Sequence, residues 1–257
     1  MSSIFEKIGQ KVSFKEGTAL FKQGDVPAGV FLIKKGYVFL YSGDPSPDSF
    51  LADIGPGELL GETSVIFGEP HSMTALCCSD MEGFYVEKKD FVEIARNETP
   101  LTRFTIHSMS KRLRRASKQM TRFRKYLVGF DPDRATLVFE AGSRQTAEVM
   151  IDHVRINNLP YEVGSTKMGD LKANANDHGL FLRMPEAASF EINHCAITKG
   201  KNEILVVDKG TVSGTIVNGV RIGHQGASMR HPLRLGDNYI VLGKPNSSAR
   251  LVLTYMP

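Results

Sequence analysis

DIGPGELLGETSVIFGEPHSMTAL, residues 53–76, is punctuated by Gly55, Gly57, Gly61 and Gly68 and by Pro56 and Pro70. That spacing leaves room only for short strands and tight turns. Upstream, VFLIKKGYVFLY, residues 30–41, alternates in the manner of a strand pair around Gly36. Gly17, Gly24, Gly29, Gly43 and Gly83, with Pro27, Pro45 and Pro47, continue the punctuation. The pattern predicts a compact β-roll up to about Lys89.

From Pro100 to Leu127 the punctuation disappears. Ile106, Met109, Leu113, Ala116, Met120, Phe123 and Leu127 recur at alternating steps of three and four, a heptad stripe. One reading lays this helix on its own domain. The near-perfect alternation favours the other, in which the stripe is the seam of a homodimer, although Ala116 and the methionines specify a seam poorly. Lys111, Arg112, Arg114, Arg115, Lys118, Arg122, Arg124 and Lys125 occupy the remaining faces, with no acid among them.

Gly129 ends the helix, and residues 128–134 read as a linker. Beyond it strands return at short intervals: ATLVFEA, AEVMIDHVRI, LPYEVGS, HGLFLRM, FEINHCAITK, EILVVDK, GTIVNGVRI, PLRLGDNYIVLG and ARLVLTYM. Such spacing implies an all-β sandwich over 135–257. The fold class expected is therefore mainly β: a β-roll of the double-stranded β-helix or jelly-roll type with a long helix at its end (1–127, helix 100–127), then a β-sandwich.

The 257 residues suit two ordinary domains, and 41% hydrophobic with 23% charged residues is the balance of a soluble globular chain. Net charge is +4, too mild by itself to imply nucleic acid. No apolar run approaches the roughly 18 residues of a membrane span. The start MSSIFEKIGQKVSF does not read as a signal peptide. Cys77, Cys78 and Cys195 have no metal-ligand spacing and read as inert thiols in a reducing cytoplasm. No cofactor and no metal is expected.

Residues 8–127 resemble the cyclic nucleotide-binding domain family, which includes catabolite-activator-type regulators. The resemblance is carried by FKEGTALFKQGDVPAGVFLIKKGYVFLY, by the cassette above and by the long helix. It implies a phosphate-binding cassette from Gly61 to Thr74, comprising Gly61, Glu62, Thr63, His71, Ser72 and Thr74. Glu62 matches the acid that accepts a ribose hydroxyl, and Ser72 a phosphate-contacting position. His71 stands where the family has arginine. Arginine offers a permanent, bidentate charge, whereas histidine is mostly neutral at pH 7. Losing such a bond costs about 1.5–3 kcal/mol. Cyclic AMP or cyclic GMP bound weakly, another anionic ligand, and an empty structural pocket all remain open readings.

Residues 135–255 resemble the forkhead-associated (FHA) domain, a β-sandwich that reads phosphothreonine. LPYEVGS (159–165), EINHCAI (191–197), DKGTVSGTIVNGVRI (208–222) and LRLGDNYIVLG (233–243) carry the likeness. Gly164, His194, Gly214, Thr215, Asn218, Gly219, Gly236 and Asp237 keep the scaffold. The peptide-reading positions depart from it: Ser165 replaces the phosphate-binding arginine, Glu191 the serine and Ser213 the peptide-holding asparagine. Thr211 is the survivor. The resemblance implies an interaction surface that has lost phosphothreonine recognition, for an unknown protein partner.

These readings predict a non-catalytic regulatory adaptor. A nucleic-acid-binding regulator using basic helix 111–125 is the alternative. Against it, a β-sandwich stands where a helix-turn-helix would follow. No HExxH, P-loop, CxxC or supported Ser-His-Asp order points to an enzyme.

Overall fold

The computed structural model describes residues 2–46, 49–97, 102–103, 105–106, 109–110, 113, 136–150, 153–166, 174–184, 190–201 and 203–256. The chain divides into two units, Met1–Lys118 and Gln119–Pro257. The expected boundary at 127 and linker 128–134 lie outside the described residues.

The first unit runs α1 (Ser2–Ile8), β1 (Gln10–Phe14), β2 (Ala19–Phe21), β3 (Gly29–Lys35), β4 (Val38–Tyr41), β5 (Phe50–Ile54), β6 (Leu59–Leu60), α2 (Glu62–Phe67), β7 (Thr74–Cys77), β8 (Met81–Glu87) and α3 (Lys88–Asn97). Two four-stranded sheets, ordered β1-β8-β3-β6 and β2-β7-β4-β5, form the β-roll. Phe31, Ile33, Val38, Leu40, Ile54 and Met81 belong to one buried cluster. Phe5 and Phe91 pack in a second, with ring centroids 6.4 Å apart. Each fully buried apolar side chain contributes about 1.5–3 kcal/mol. The turn between β3 and β4 needs glycine: Gly36 has φ +82°, and an added Cβ would lie 2.2 Å from the Asp80 carbonyl.

Thr102, Arg103, Thr105, Ile106, Met109, Ser110 and Leu113 are helical, but no continuous long helix is evident among the described residues. Thr105 is buried, whereas Ile106 is 58% and Leu113 68% exposed. The rest of the expected stripe, Ala116, Met120, Phe123 and Leu127, lies outside the described residues. So does the basic run 111–125, apart from Leu113 within it.

The second unit runs β9 (Thr136–Ala141), α4 (Arg144–Val149), β10 (His153–Ile156), β11 (Tyr161–Ser165), β12 (Asn174–Asn176), β13 (Gly179–Leu182), β14 (Cys195–Lys199), β15 (Ile204–Asp208), β16 (Thr215–Val217), β17 (Val220–Ile222), β18 (Arg230–Pro232), β19 (Gly236–Leu242) and β20 (Arg250–Met256). Two six-stranded sheets, β10-β9-β20-β19-β16-β17 and β12-β13-β11-β14-β15-β18, form the sandwich. Phe139, Tyr161, Val163, Leu182, Val206 and Leu253 belong to its core cluster. The β16–β17 hairpin closes on Asn218 (φ 50°) and Gly219 (φ 82°), with Val217 opposite Val220. Two consecutive positive φ values are what a two-residue turn matched to strand twist requires.

Two expected strands are corrected. AEVM begins inside α4, because the Ser143 Oγ accepts the Thr146 N–H at 3.0 Å and caps a helix there. FEIN is not strand: β14 begins only at Cys195, after a loop in which Glu191, Ile192 and Asn193 are exposed and His194 is buried. Cys77, Cys78 and Cys195 are buried free thiols. Burial pushes the Cys77 thiol up to about 11 and raises that of Cys195 further. Among the described residues no helix is long and apolar enough to cross a membrane, and no His/Cys/Asp/Glu group could hold a metal.

Candidate functional site

In the first unit the cassette is built by β6, Gly61, α2 and the turn into β7. Gly61 caps α2 with φ +86°, and an added Cβ would meet the Gly29 carbonyl at 3.0 Å and His71 Cε1 at 3.4 Å. Backbone conformation and space both demand glycine there. Glu62 is fully buried at the start of α2, and its Oε1 lies 3.4 Å from the Thr63 hydroxyl. With six residues, α2 is short, so little macrodipole backs its first turn.

His71 is the centre of the cassette. Its backbone is tied to the β2–β3 loop: the Gly24 N–H donates to its carbonyl at 2.7 Å, and its own N–H donates to the Asp25 carbonyl at 2.9 Å. Its ring stacks on Phe21, centroids 3.7 Å apart and nearly parallel. Burial holds the imidazole below its ordinary pKa of 6.5, outweighing the opposite pull of the Asp25 carboxylate. At pH 7 the ring is therefore neutral. Thr74 is buried, and its Oγ1 accepts the Gln23 N–H at 3.0 Å. Thr63 and Ser72 are exposed. The structure thus gathers Gly61, Glu62, His71 and Thr74 in the interior and leaves Thr63 and Ser72 at the surface. Phe21 is the residue that sequence reasoning missed. Nothing in linear spacing pairs positions 21 and 71; only the roll brings them together.

In the second unit four loop positions converge at one end of the sandwich. The Ser165 N–H donates to the Glu191 carbonyl at 2.9 Å. Gly164 allows this, since an added Cβ would fall 1.7 Å from the Ile192 carbonyl. The Glu191 carboxylate accepts the Val212 N–H at 3.1 Å, between Thr211 and Ser213. His194 is completely buried beside it. The His194 Nε2 lies 2.9 Å from the Gly214 carbonyl and so carries a proton; Nδ1 accepts the Glu191 N–H at 3.2 Å, with Glu191 Oε2 also 3.2 Å away. Burial, the larger influence, holds this imidazole below its ordinary value despite the acids nearby.

Asp208 organises the loop that carries Thr211. Its carboxylate accepts four bonds, from the Gly210 and Thr211 N–H groups and the Thr211 and Thr215 hydroxyls, at 2.7–2.9 Å. Thr211 Oγ1 accepts the Gly214 N–H at 3.0 Å in turn. The Thr211 hydroxyl is therefore engaged inside the loop rather than displayed. Ser213 is buried, and its carbonyl accepts from Arg221 at 3.3 Å. What this end displays is Val212, 78% exposed, and Ile192, 45% exposed. Arg221 and Gln225, which donates to the Val212 carbonyl at 3.2 Å, were not singled out from the sequence.

Comparison with known proteins agrees with both units. Residues 11–98 match the family described as Cyclic nucleotide-binding domain, and residues 180–243 match FHA domain. The human Patatin-like phospholipase domain-containing protein 6 is 30% identical over 108 residues, 41% of this chain and 8% of that protein. The Cyclic AMP receptor protein of Thermus thermophilus is 28% identical over 113 residues, 43% of this chain and 52% of that protein. The chain thus spans at most about half the length of these relatives. The crystal structure of the Thermus thermophilus catabolite activator protein aligns with a TM-score of 0.41 at 25% identity, covering 46% of this chain and 56% of that one.

The buried, neutral His194 links stability to pH. As pH falls, the unfolded chain's histidine takes its proton first, near 6.5, so the stabilisation is complete above that value and drains below it until the folded-state pKa is reached. Urea denaturation of the second unit is expected to show stability falling below about pH 6.5, by at most about 1.4 kcal/mol per pH unit for this group. His194→Gln should be less stable at neutral pH and have a flatter slope. Parallel slopes for the two proteins would contradict this assignment.

Proposed function

A chain that carries a cyclic nucleotide-binding domain and an FHA domain is, we propose, a non-catalytic regulatory adaptor whose two ligand-reading loops have been altered. One observation supports the reading above the others: in each unit the chain's own side chains occupy the loop that would face the ligand's phosphate. His71 lies neutral against Phe21, and the Glu191 carboxylate sits on the Val212 N–H.

In the roll this supports weak binding of a cyclic nucleotide, cyclic AMP or cyclic GMP. Gly61, Glu62, His71 and Thr74 would form the inner wall of the site, with Thr63 and Ser72 at its surface. A neutral imidazole supplies one hydrogen bond where a guanidinium supplies a charged pair. Calorimetric titration with cyclic AMP should show weak or undetectable binding, and His71→Arg should tighten it by about tenfold or more. Unchanged or weaker affinity in that variant would mean that the pocket is built for a different ligand.

In the sandwich the reading is a protein-interaction face, Ser165, Glu191, Thr211 and Ser213 with Ile192 and Val212, that does not require phosphothreonine. A carboxylate already bound to the loop N–H repels a dianionic phosphate. A peptide array is expected to give no preference for phosphothreonine over threonine. Phosphate-dependent binding that disappears in Thr211→Ala would overturn this part of the proposal.

The assembly proposed is a homodimer through the stripe Ile106 to Leu127, in a cytoplasmic setting that suits three buried free thiols. The exposure of Ile106 and Leu113 supports it, since a helix lying on its own domain would turn these side chains inward. Covering them would contribute about 1.5–3 kcal/mol for each side chain fully buried. Light scattering should give a dimer, and Leu113→Glu should give monomer. A monomer at high concentration in the unmodified protein would assign the stripe elsewhere.

A further inference from the structure

The β-roll contains a cavity that shares only His71 with the cassette residues. β1 is the edge of one sheet and β2 the edge of the other, so the space between them is the mouth of the roll. A cavity of about 520 Å³ opens there. Ligand sites favour the mouths of β-barrels, and this volume suits a small organic molecule. Its walls include Phe14 from β1, Phe21 from β2, Phe31 from β3 and Tyr85 from β8, with His71 and Asp25. Gly61 and Glu62 are not among them. The Phe21–His71 stack, which lies against Gly61, is shared by this cavity and the cassette.

The walls form an aromatic box. Phe14 and Phe31 meet edge to face with centroids 5.9 Å apart, and Phe31 and Tyr85 are tilted at 4.8 Å. Such rings offer electron-rich faces to a cation and an apolar surface to its body. The one charge among the described lining residues is the Asp25 carboxylate; none of them is Lys or Arg. That carboxylate is fixed in place. Its Oδ2 accepts the Lys22 N–H at 2.8 Å, and the Asp25 backbone bonds to Lys22 and to His71. An anion such as a nucleotide phosphate would meet repulsion and no compensating cation. A positively charged group would meet both the carboxylate and the ring faces.

We propose that the mouth of the roll, between β1 and β2, is a binding site for a small organic cation, an ammonium group carried on an apolar or aromatic body. Occupancy would press on the Phe21–His71 stack and so reach the neighbouring cassette through that shared wall.

Benzyltrimethylammonium is a suitable probe, and neopentylbenzene is its uncharged counterpart of similar shape. Titration of the full chain, followed by the ring resonances of Tyr85 and by thermal shift, should show saturable binding at up to about 10 mM probe. The uncharged counterpart should bind more weakly. Asp25 is exposed, and asparagine can still accept the Lys22 N–H, so Asp25→Asn should fold normally while weakening the probe about tenfold. Phe14→Leu, which keeps an apolar side chain but loses the ring face, should also weaken it. No change at Tyr85 across the titration, equal binding of the uncharged compound, or unaltered affinity in Asp25→Asn would each overturn the proposal.

Discussion

One loop region in each unit of this chain holds a histidine kept neutral by burial. Burial disfavours the charged imidazolium and outweighs the acids nearby, Asp25 at His71 and Glu191 at His194, so the ring is uncharged and can lie against an aromatic face or bridge two backbone groups. His71 does the first, on Phe21, and its backbone fastens the β2–β3 loop to the turn before β7. His194 does the second, holding the Glu191 N–H and the Gly214 carbonyl and so joining the loop before β14 to the loop before β16. The His71 fastening is made by backbone bonds, whereas the His194 bridge is made by the ring nitrogens and so depends on the protonation state.

The scaffolds around these rings are held independently of any ligand. The turns are fixed by sterics that no ligand influences: the left-handed glycines 36 and 61, the Asn218–Gly219 hairpin, and the close approach at Gly164. Asp208 is likewise satisfied within its own loop by four donors, leaving the Thr211 hydroxyl committed to the fold. The residues that would distinguish one ligand from another stand on these fixed frames. A neutral ring at 71 and a carboxylate at 191 set the local electrostatics while the strands are held by other contacts.

Much of the architecture was legible in the sequence because its signals are local. Turn glycines, strand alternation in residues 30–41 and the Asn-Gly pair act over a few residues, and each was found where expected. The helix over 144–149 was missed because its signal is a single Ser143 cap before a segment that also reads as strand. The sequence named candidate site positions, but their side-chain engagement was not visible in it. The stack of Phe21 on His71, the Glu191 bond to Val212 N–H and the inward commitment of Thr211 join residues far apart in the chain or depend on side-chain direction, which periodicity does not encode. The aromatic mouth of the roll was hidden for the same reason, its rings coming from four different strands.

The central claim, that each of these loop regions holds a neutral, buried histidine, is tested most directly by following the ring nitrogens of His71 and His194 by NMR through a pH titration of the unliganded protein. The account predicts that both rings are uncharged at pH 7, that each titrates below 6.5, and that His194 carries its proton on Nε2. A charged ring at pH 7, or a His194 proton resting on Nδ1, would contradict it.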